Sequence, residues 1–530
     1  MVQPGTAAPG AQPATGVREF LLAGYQRLEH RVDAAFGSLH NPLRQLGAIA
    51  FALFWLLAIS GIYLYIVLDT SAEGAYPSIN HLSREQWYFG GVLRSLHRYG
   101  ADAFVVVVVA HLVREWLHGR YHGFRRFSWL TGVPLLVFVF VSAIGGFWLN
   151  WDQLGQFSAV ATAEWLDWLP FFASPMTRNF LNVAAVSDRL FSLFVFVHLG
   201  VALLLVFGLW FHIQRISRAA VFPSRRLAWG TLLVLLGLAL MRPVMSGAPA
   251  DLTRVPDVLA LDWLLLFIHP LTYATSAGTV WGLLSAALLA LFALPFLPQR
   301  AAPVPVAVVD PANCNGCRRC FDDCPYAAVT MVPHPNLRIG RQMAQVNADL
   351  CASCGICVGA CPSSTPFRSA AELVTGIDMP SEPIGALRRR LQQGLAGLSG
   401  PHRIVAFGCK RGARVDTLAA PDVATFSLMC IGLLPPSFVE YALRDGASAV
   451  LVSGCREGGC EFRLGQRWTE QRLAGEREPH LRGSVPHERW ATAWADAGDE
   501  TALRSALNRL RTRVQGNVVA APPTAAAPHG

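Results

Sequence analysis

The sequence predicts a membrane all-α helical bundle of about six spans, followed by a small α+β domain and a small α/β domain. Three observations predict this. Apolar runs long enough to cross a bilayer recur from residue 46 and stop near residue 298. All twelve cysteines lie beyond that point. Two of the apolar runs each carry a histidine pair, His97 with His111 and His198 with His212, and both pairs are fourteen residues apart. Composition agrees, since 53% of the 530 residues are hydrophobic and the rest of the chain is ordinary polar sequence. The net charge of +9 comes almost wholly from arginine, Lys410 being the only lysine. Those arginines gather in short loops beside apolar runs, where they set topology, which argues against a nucleic-acid partner.

Residues 1–45 read as an N-terminal tail and interfacial segment, and 46–298 as the membrane domain. The first seventeen residues are rich in Ala, Pro and Gly and lack a charged start and a cleavage site, so a disordered tail is expected rather than a signal peptide. Spans are expected at 46–68, 93–117, 129–149, 190–213, 227–242 and 278–297. The segment 258–273 is apolar but short and carries Asp262, His269 and Pro270, so it reads as re-entrant or interfacial. One set of loops holds Arg18, Arg27, Arg31 and Arg44, then Arg114, Arg120, Arg125 and Arg126, then Arg215, Arg218, Arg225 and Arg226. The opposite loops are longer and hold few, such as Arg84, Arg178 and Arg254. The positive-inside rule then puts the N-terminus in the cytoplasm of a multi-pass bacterial inner-membrane protein. With an even number of spans, everything after residue 298 is expected there too.

At 1.5 Å and 100° per residue, a fourteen-residue interval spans about 21 Å and returns to within about 40° of the same helix face. Two such helices side by side offer one His–His couple near each membrane surface, the axial ligand set for two b haems. A lone histidine in such a run would read as a satisfied core residue, but a repeated interval needs another explanation. Buried polar groups in a membrane helix are costly and point to function by default. The two helices run the same way, so His97 is expected to pair with His198 at the outer haem and His111 with His212 at the inner one.

The glycines carry the next step. Gly47 and Gly61 in the first span, and Gly132 and Gly146 in the third, repeat the fourteen-residue interval. Together with the histidines they make the first four helices resemble the N-terminal four-helix half of cytochrome b, the quinone-reacting subunit of cytochrome bc and bf complexes. The resemblance implies glycines packed against haem, with Gly61 and Gly146 at the outer haem and Gly47 and Gly132 at the inner one, since a position without Cβ lets backbone approach a porphyrin closely. It also implies that Arg94 and Arg114, each three residues from a histidine, lie near haem propionates; interfacial snorkelling is the alternative. The second half departs from the family. Where cytochrome b carries Pro-Glu-Trp-Tyr, this chain has Leu261-Asp262-Trp263-Leu264, which makes Asp262 the candidate proton acceptor from quinol or else a plain interfacial residue. His40, Arg215 and Arg218 are candidates for an inner quinone pocket. His118 and His122, four apart in a basic loop, read as structural rather than metal-binding.

Beyond the membrane domain, Cys314, Cys317, Cys320 and Cys324-Pro325 spell C-x2-C-x2-C-x3-C-P, and Cys351, Cys354, Cys357 and Cys361-Pro362 repeat it. Zinc would not need a repeated four-cysteine run with trailing prolines, and disulfides are disfavoured in the cytoplasm. Residues 305–375 resemble the bacterial ferredoxin with two [4Fe–4S] clusters. The fourth cysteine of each run is expected to ligate the other cluster, so Cys314, Cys317, Cys320 and Cys361 hold one and Cys351, Cys354, Cys357 and Cys324 the other. Residues 376–400 read as a linker, with Arg388-Arg389-Arg390 on a surface helix. From 401 to 514, strand patterns at 404–407, 424–428 and 449–452 alternate with helical patterns, as a small parallel sheet requires. Cys409, Cys430, Cys455 and Cys460 sit at or just past strand ends, where loops converge on a ligand. Val452-Ser453-Gly454-Cys455 with Gly458-Gly459-Cys460 resembles the delta subunit of methyl-viologen-reducing hydrogenase. That resemblance implies one [2Fe–2S] cluster on these four cysteines, zinc being the alternative, and a flavin-containing partner of the heterodisulfide-reductase type. Residues 515–530 are expected to be a disordered tail.

The three resemblances together imply a membrane electron-transfer subunit of a quinone-linked oxidoreductase complex. Its cofactors would be two haem b, two [4Fe–4S] and one [2Fe–2S], with quinone as substrate. No dinucleotide-binding glycine loop, flavin motif or nickel ligand set is evident, so the substrate-oxidising site belongs to a cytoplasmic flavoprotein or dehydrogenase subunit. Expected partners are therefore membrane lipid, quinone and that subunit, in a hetero-oligomer compatible with dimerisation through the membrane domain. A conduit to a non-quinone outer acceptor, and flow from quinol to a low-potential partner, stay open as alternatives; a redox sensor would not need this much wiring.

Overall fold

The computed structural model describes residues 16–172, 174–181, 185–214, 220–254, 258–298, 305–362, 373–400 and 402–519. The chain divides near residue 298 into two compact units.

The first unit is helical throughout. After α1 (Val17–Phe36), α2 (Leu46–Val67), a short α3 (Ala75–Arg84), α4 (Val92–Leu117) and α5 (Arg126–Trp148) follow. Then come α6 (Gln153–Asp167), α7 (Asp188–Gln214), α8 (Arg225–Met241), α9 (Ile268–Ala274) and α10 (Ala277–Ala293). Helices occupy all six expected positions. Among the described residues, four stretches are long and apolar enough to cross a membrane: Leu46–Val67, Gly123–Trp148, Asp188–Gln214 and Ala277–Phe296. The count of six is therefore not established. α8 has only 17 residues, and α4, though 26 residues long, carries Arg94, Arg98, Asp102 and two histidines. Packing explains why α4 tolerates them. It lies against α2 and α8, and α5 lies against α7, around a core that includes Leu53, Phe54, Phe104, Val105 and Val139. Segment 258–273 forms no span; α9 is seven residues long and packs on α6.

The second unit begins with a duplicated motif. Strand β1 (Val308–Val309) is followed by α11 (Arg319–Asp323), β2 (Val329–Pro333), β3 (Gln342–Val346), α12 (Ile356–Gly359) and β4 (Ile377–Asp378). β1 pairs antiparallel with β4 and β2 with β3, while α11 and α12 each carry the third cysteine of one run. Residues 376–400, expected as a linker, instead supply β4 and a buried helix, α13 (Ile384–Ala396). Its Ile384, Leu387, Leu391 and Leu395 make an apolar stripe at helical spacing. Arg388 in the arginine triplet is not on the surface either. It pairs with Asp445 and stacks 4.6 Å from the Tyr441 ring centre, so its charge is met inside the fold.

The remainder is α/β: β5 (Ile404–Cys409), β6 (Val423–Leu428), α14 (Ser437–Arg444), β7 (Ala449–Gly454), α15 (Gly465–Leu473), β8 (Trp490–Trp494) and α16 (Glu500–Val519). The four strands are parallel in the order β6-β5-β7-β8. Strands covered on both faces read as continuous apolar runs, and the two faces separate cleanly here. Val405, Phe407, Val450 and Val452 face α13 and α14, while Ile404, Ala406, Ala449 and Leu451 face Leu503, Leu507 and Leu510 of α16. α16 runs through Val519, so the tail expected at 515–530 begins no earlier than 520, and 520–530 lie outside the described residues, as do 1–15 of the N-terminal tail.

Candidate haem and iron–sulfur sites

In both packed helix pairs of the membrane unit, glycines on one helix meet histidines on the other. A Cβ at Gly61 would stand 3.1 Å from His97 Cε1, and one at Gly146 would stand 3.1 Å from His198 Cε1. The other level repeats this at 3.2 Å, Gly47 against His111 and Gly132 against His212. The His97 and His198 rings approach each other with centroids 6.3 Å apart and planes inclined at 65°. Two imidazoles on opposite sides of one metal, with bonds of about 2.0–2.1 Å and roughly 1.1 Å from ring nitrogen to ring centre, require about 6 Å. His212 likewise lies within electrostatic reach of His111. The four histidines thus fall into the two couples that the spacing predicts.

Three of these rings are also oriented for metal. Ser142 carbonyl oxygen lies 2.8 Å from His198 Nδ1 and can only accept. Ser60 Oγ, 3.0 Å from His97 Nδ1, already donates its proton to Leu56 O, so it accepts from the ring. Thr131 Oγ1, 3.1 Å from His212 Nδ1, donates to Phe127 O and accepts from that ring in the same way. In each case Nδ1 carries the proton and Nε2 keeps its lone pair, the arrangement that fixes a ligating tautomer. Ser60 and Thr131 immediately precede Gly61 and Gly132, a repeated hydroxyl–glycine pair in the sequence. Donor type, tautomer and cradle all fit haem b. Gly61→Leu should therefore lower haem content from two toward one per chain by pyridine haemochrome, the outer site losing its cofactor. Two retained haems would show that the close approach is not needed.

Arg94 and Arg114 are buried. Arg94 donates to Ser83 Oγ, Asn150 Oδ1 and Ser246 Oγ, and Arg114 to Glu29 and Glu115. Asp262 has two structural duties. Its carboxylate accepts from the Leu264 and Leu265 amides at 3.0 and 2.8 Å, and it pairs with Arg98, the residue after His97. Arg98 also pairs with Asp102 and lies over Phe147, which makes it a charged neighbour of the outer histidine couple that spacing did not reveal. His269 in the same segment is buried, with Nε2 3.1 Å from Ser158 Oγ and Nδ1 without a hydrogen-bond partner among the described residues. His40 Nδ1 lies 3.0 Å from Ser224 Oγ, while Arg215 and Arg218 lie outside the described residues. His118 contacts Arg114 O and Tyr25, whereas His122 stacks on Tyr121, so the two do not converge.

In the second unit, one pocket is lined by Cys314, Cys317, Cys320 and Cys361, and another by Cys324, Cys351, Cys354 and Cys357. The fourth cysteine of each run has crossed to the other pocket. Left-handed residues let each loop wrap its pocket, and they recur at equivalent places: Gly316 and Arg318 in the first run, Ser353 and Gly355 in the second. Arg318 and Ser353 accept a conformation that costs a side chain roughly 1–2 kcal/mol. Burial pushes the Cys320 thiol up to about 12 and those of Cys354 and Cys357 upward as well. Thiolates at such depth call for positive charge among them, which iron supplies.

The last four cysteines meet at the carboxyl ends of the parallel strands. Cys409 ends β5, Cys430 lies two residues past β6, and Cys455 follows β7 directly. The connection from β5 runs to β6 on one side and that from β7 to β8 on the other, so the strand order reverses between β5 and β7, which is where open sheets bind ligands. Cys409 and Cys455 sulfurs are 4.0 Å apart, and the Cys430 and Cys455 thiols both lie within hydrogen-bond reach of Cys409 and Cys460. A Cβ at Gly465 would sit 2.4 Å from Cys430 Sγ, so this glycine, which the sequence did not single out, admits the thiol cluster.

Comparison with known proteins gives three matches along the chain. Residues 33–219 match the family Cytochrome b/b6/petB, 313–365 the 4Fe-4S dicluster domain, and 404–516 the delta subunit of methyl-viologen-reducing hydrogenase. The first match ends before Asp262. Among solved structures, one described as "Hyperthermophilic respiratory Complex III" is similar at 19% identity, over 53% of this chain and 83% of that chain, with a TM-score of 0.40. The chain is thus a membrane electron-transfer protein in which a cytochrome b segment, a 4Fe-4S dicluster segment and a methyl-viologen-reducing hydrogenase delta-subunit segment are joined in line.

Proposed function

We propose that this protein passes electrons between a cytoplasmic flavin-containing or dehydrogenase subunit and the quinone pool, as the membrane subunit of a hetero-oligomeric oxidoreductase. The observation that carries the reading is the coexistence in one chain of two neighbouring histidine couples and three cysteine sets. When bound, two b haems, two [4Fe–4S] clusters and a [2Fe–2S] cluster would each take up and release single electrons. His97 with His198, and His111 with His212, would hold the haems. Gly47, Gly61, Gly132 and Gly146 would leave room for the macrocycles, with Arg94 and Arg114 near their charged edges. Cys409, Cys430, Cys455 and Cys460 would hold the binuclear centre. The arginine-rich loops favour an inner-membrane orientation with the second unit in the cytoplasm.

On the outer side, Asp262 remains the candidate quinol base, but a carboxylate in an ion pair is a weak one. It would act only after releasing Arg98. His269, whose buried Nδ1 has no hydrogen-bond partner among the described residues, is the second group there able to handle a proton. The test is dithionite reduction of the purified chain followed by addition of ubiquinone or menaquinone analogues, with the haem band watched. Rapid reoxidation, blocked by a quinone-site inhibitor, is expected, together with a co-purifying flavoprotein. Haems that stay reduced with every quinone would instead favour a conduit to another outer acceptor.

A further inference from the structure

Between two of the cysteine sets in the second unit lies a guanidinium with no exposed surface. Arg472, in α15, is 0% exposed, and so are the residues on either side of the loops that it touches, Ile356 and Leu433. Its Nη1 donates to Gly432 O at 3.1 Å, and its Nη2 reaches Ile356 O at 3.5 Å and the Asp323 carboxylate. Each of these groups adjoins a cysteine. Asp323 precedes Cys324, Ile356 precedes Cys357, and Gly432 stands two residues after Cys430, whose sulfur lies 3.4 Å from the Gly432 amide. One side chain therefore ties the Cys324–Cys351–Cys354–Cys357 loops to the Cys409–Cys430–Cys455–Cys460 loops.

The backbones around it are in direct contact. A Cβ at Gly359 would stand 2.1 Å from Gly432 O, and one at Gly432 would stand 2.8 Å from Ile356 Cγ1. Cys460 also lies within electrostatic reach of Cys354. The other pocket, that of Cys314, Cys317, Cys320 and Cys361, is lined by none of these residues. The carboxylate at the junction is itself braced. Asp323 accepts from Arg477, which lies 3.5 Å over the Trp468 ring, and Trp468 Nε1 donates to Asp323 O at 3.2 Å.

We infer that Arg472 and Asp323 are positioning residues that fix the Cys324–Cys351–Cys354–Cys357 cluster as the immediate electron-exchange neighbour of the Cys409–Cys460 centre, and that they set the potentials of both together. The inference deepens the proposed function and rests on its assignment of a binuclear cluster to the last four cysteines. One electron leaves the reduced centre and enters the oxidised neighbour, with no bond made or broken and no proton required. Two arginines and one aspartate leave net positive charge at the junction. Positive charge there favours the reduced, more negative form of either cluster, and burial keeps that influence from being screened.

The experiment is an EPR redox titration of the full chain purified in detergent. In the unsubstituted protein the binuclear signal should split or broaden as one four-iron cluster becomes reduced. Arg472→Met should lower the midpoint potentials of the binuclear centre and that four-iron cluster together, leaving the other four-iron cluster in place. Arg472→Lys should restore most of the shift. If Arg472→Met fails to fold, Asp323→Asn, which keeps shape and removes a negative charge, should move the same two potentials upward. Potentials that stay put in Asp323→Asn, or a shift confined to one centre, would overturn the inference. Four-iron signals with no binuclear signal in the unsubstituted chain would instead overturn the assignment on which it rests.

Discussion

His212→Ala is expected to leave one haem b per chain instead of two, with the iron–sulfur signals unchanged. The inner couple consists of His111 on α4 and His212 on α7, and the substitution removes one of two axial ligands from a buried site. Glu115, the carboxylate within electrostatic reach of His212, is already paired with Arg114, Arg120 and Arg125. Thr131, which orients His212 through Nδ1, offers only a neutral hydroxyl, and Gly132 offers no side chain at all. The outer couple sits about 21 Å away along the same helices and has its own orienting groups, Ser60 and the Ser142 carbonyl, so it should keep its haem. The iron–sulfur ligands belong to a different compact unit. Pyridine haemochrome divided by protein concentration reads the outcome. Two haems retained in His212→Ala would break the pairing, and so would loss of both with the helices intact by circular dichroism.

Cys361→Ser should abolish one four-iron signal, that of the pocket lined by Cys314, Cys317 and Cys320, although Cys361 belongs by sequence to the second run. A serine alkoxide can substitute for thiolate only poorly at iron, and the other sulfur among the described residues lining the pocket, that of Met331, is a thioether without charge. The surviving cluster should be the one whose reduction broadens the binuclear signal, because its ligands adjoin Arg472. Cys324→Ser should give the mirror result, removing the coupled cluster and sparing the other. If Cys361→Ser eliminated the coupled cluster instead, each run would hold its own cluster and the crossing would be wrong.

Much of this arrangement was legible because it is periodic. The fourteen-residue intervals at His97/His111, His198/His212, Gly47/Gly61 and Gly132/Gly146 are fixed by helix geometry, so they could be converted into pairings before any coordinates. The cysteine runs were legible for a similar reason: short spacing constrains loops locally. What escaped depends on partners distant in sequence. Arg98 meets Asp262, 164 residues on, and no local pattern announces that pair. Ser60 and Thr131 are single hydroxyls whose role appears only when a histidine from another helix arrives. α13 was hidden differently. Its apolar stripe was present in the sequence, but Arg388-Arg389-Arg390 looked like surface, and only Asp445 and Tyr441 explain why the first of them is inside. β8, with three alanine- and threonine-filled positions between two tryptophans, carried too weak a strand pattern to stand out beside β5 and β7.

The buried layer beneath the two cysteine-bearing segments of the second unit is continuous. It runs from Val329, Ala344 and Val358 through Leu387, Leu391 and Leu395 to Phe407, Leu433 and Phe438, beside the buried Arg472–Asp323 pair. Segments that match separate families are commonly pictured as beads on a string, each exchanging electrons with the next when they happen to collide. A common interior rules out that picture here: the relative placement of these two segments is set by packing, as fixed as the contacts within either one. They share one compact unit, so either one moved alone into another protein would carry an uncovered apolar face with it.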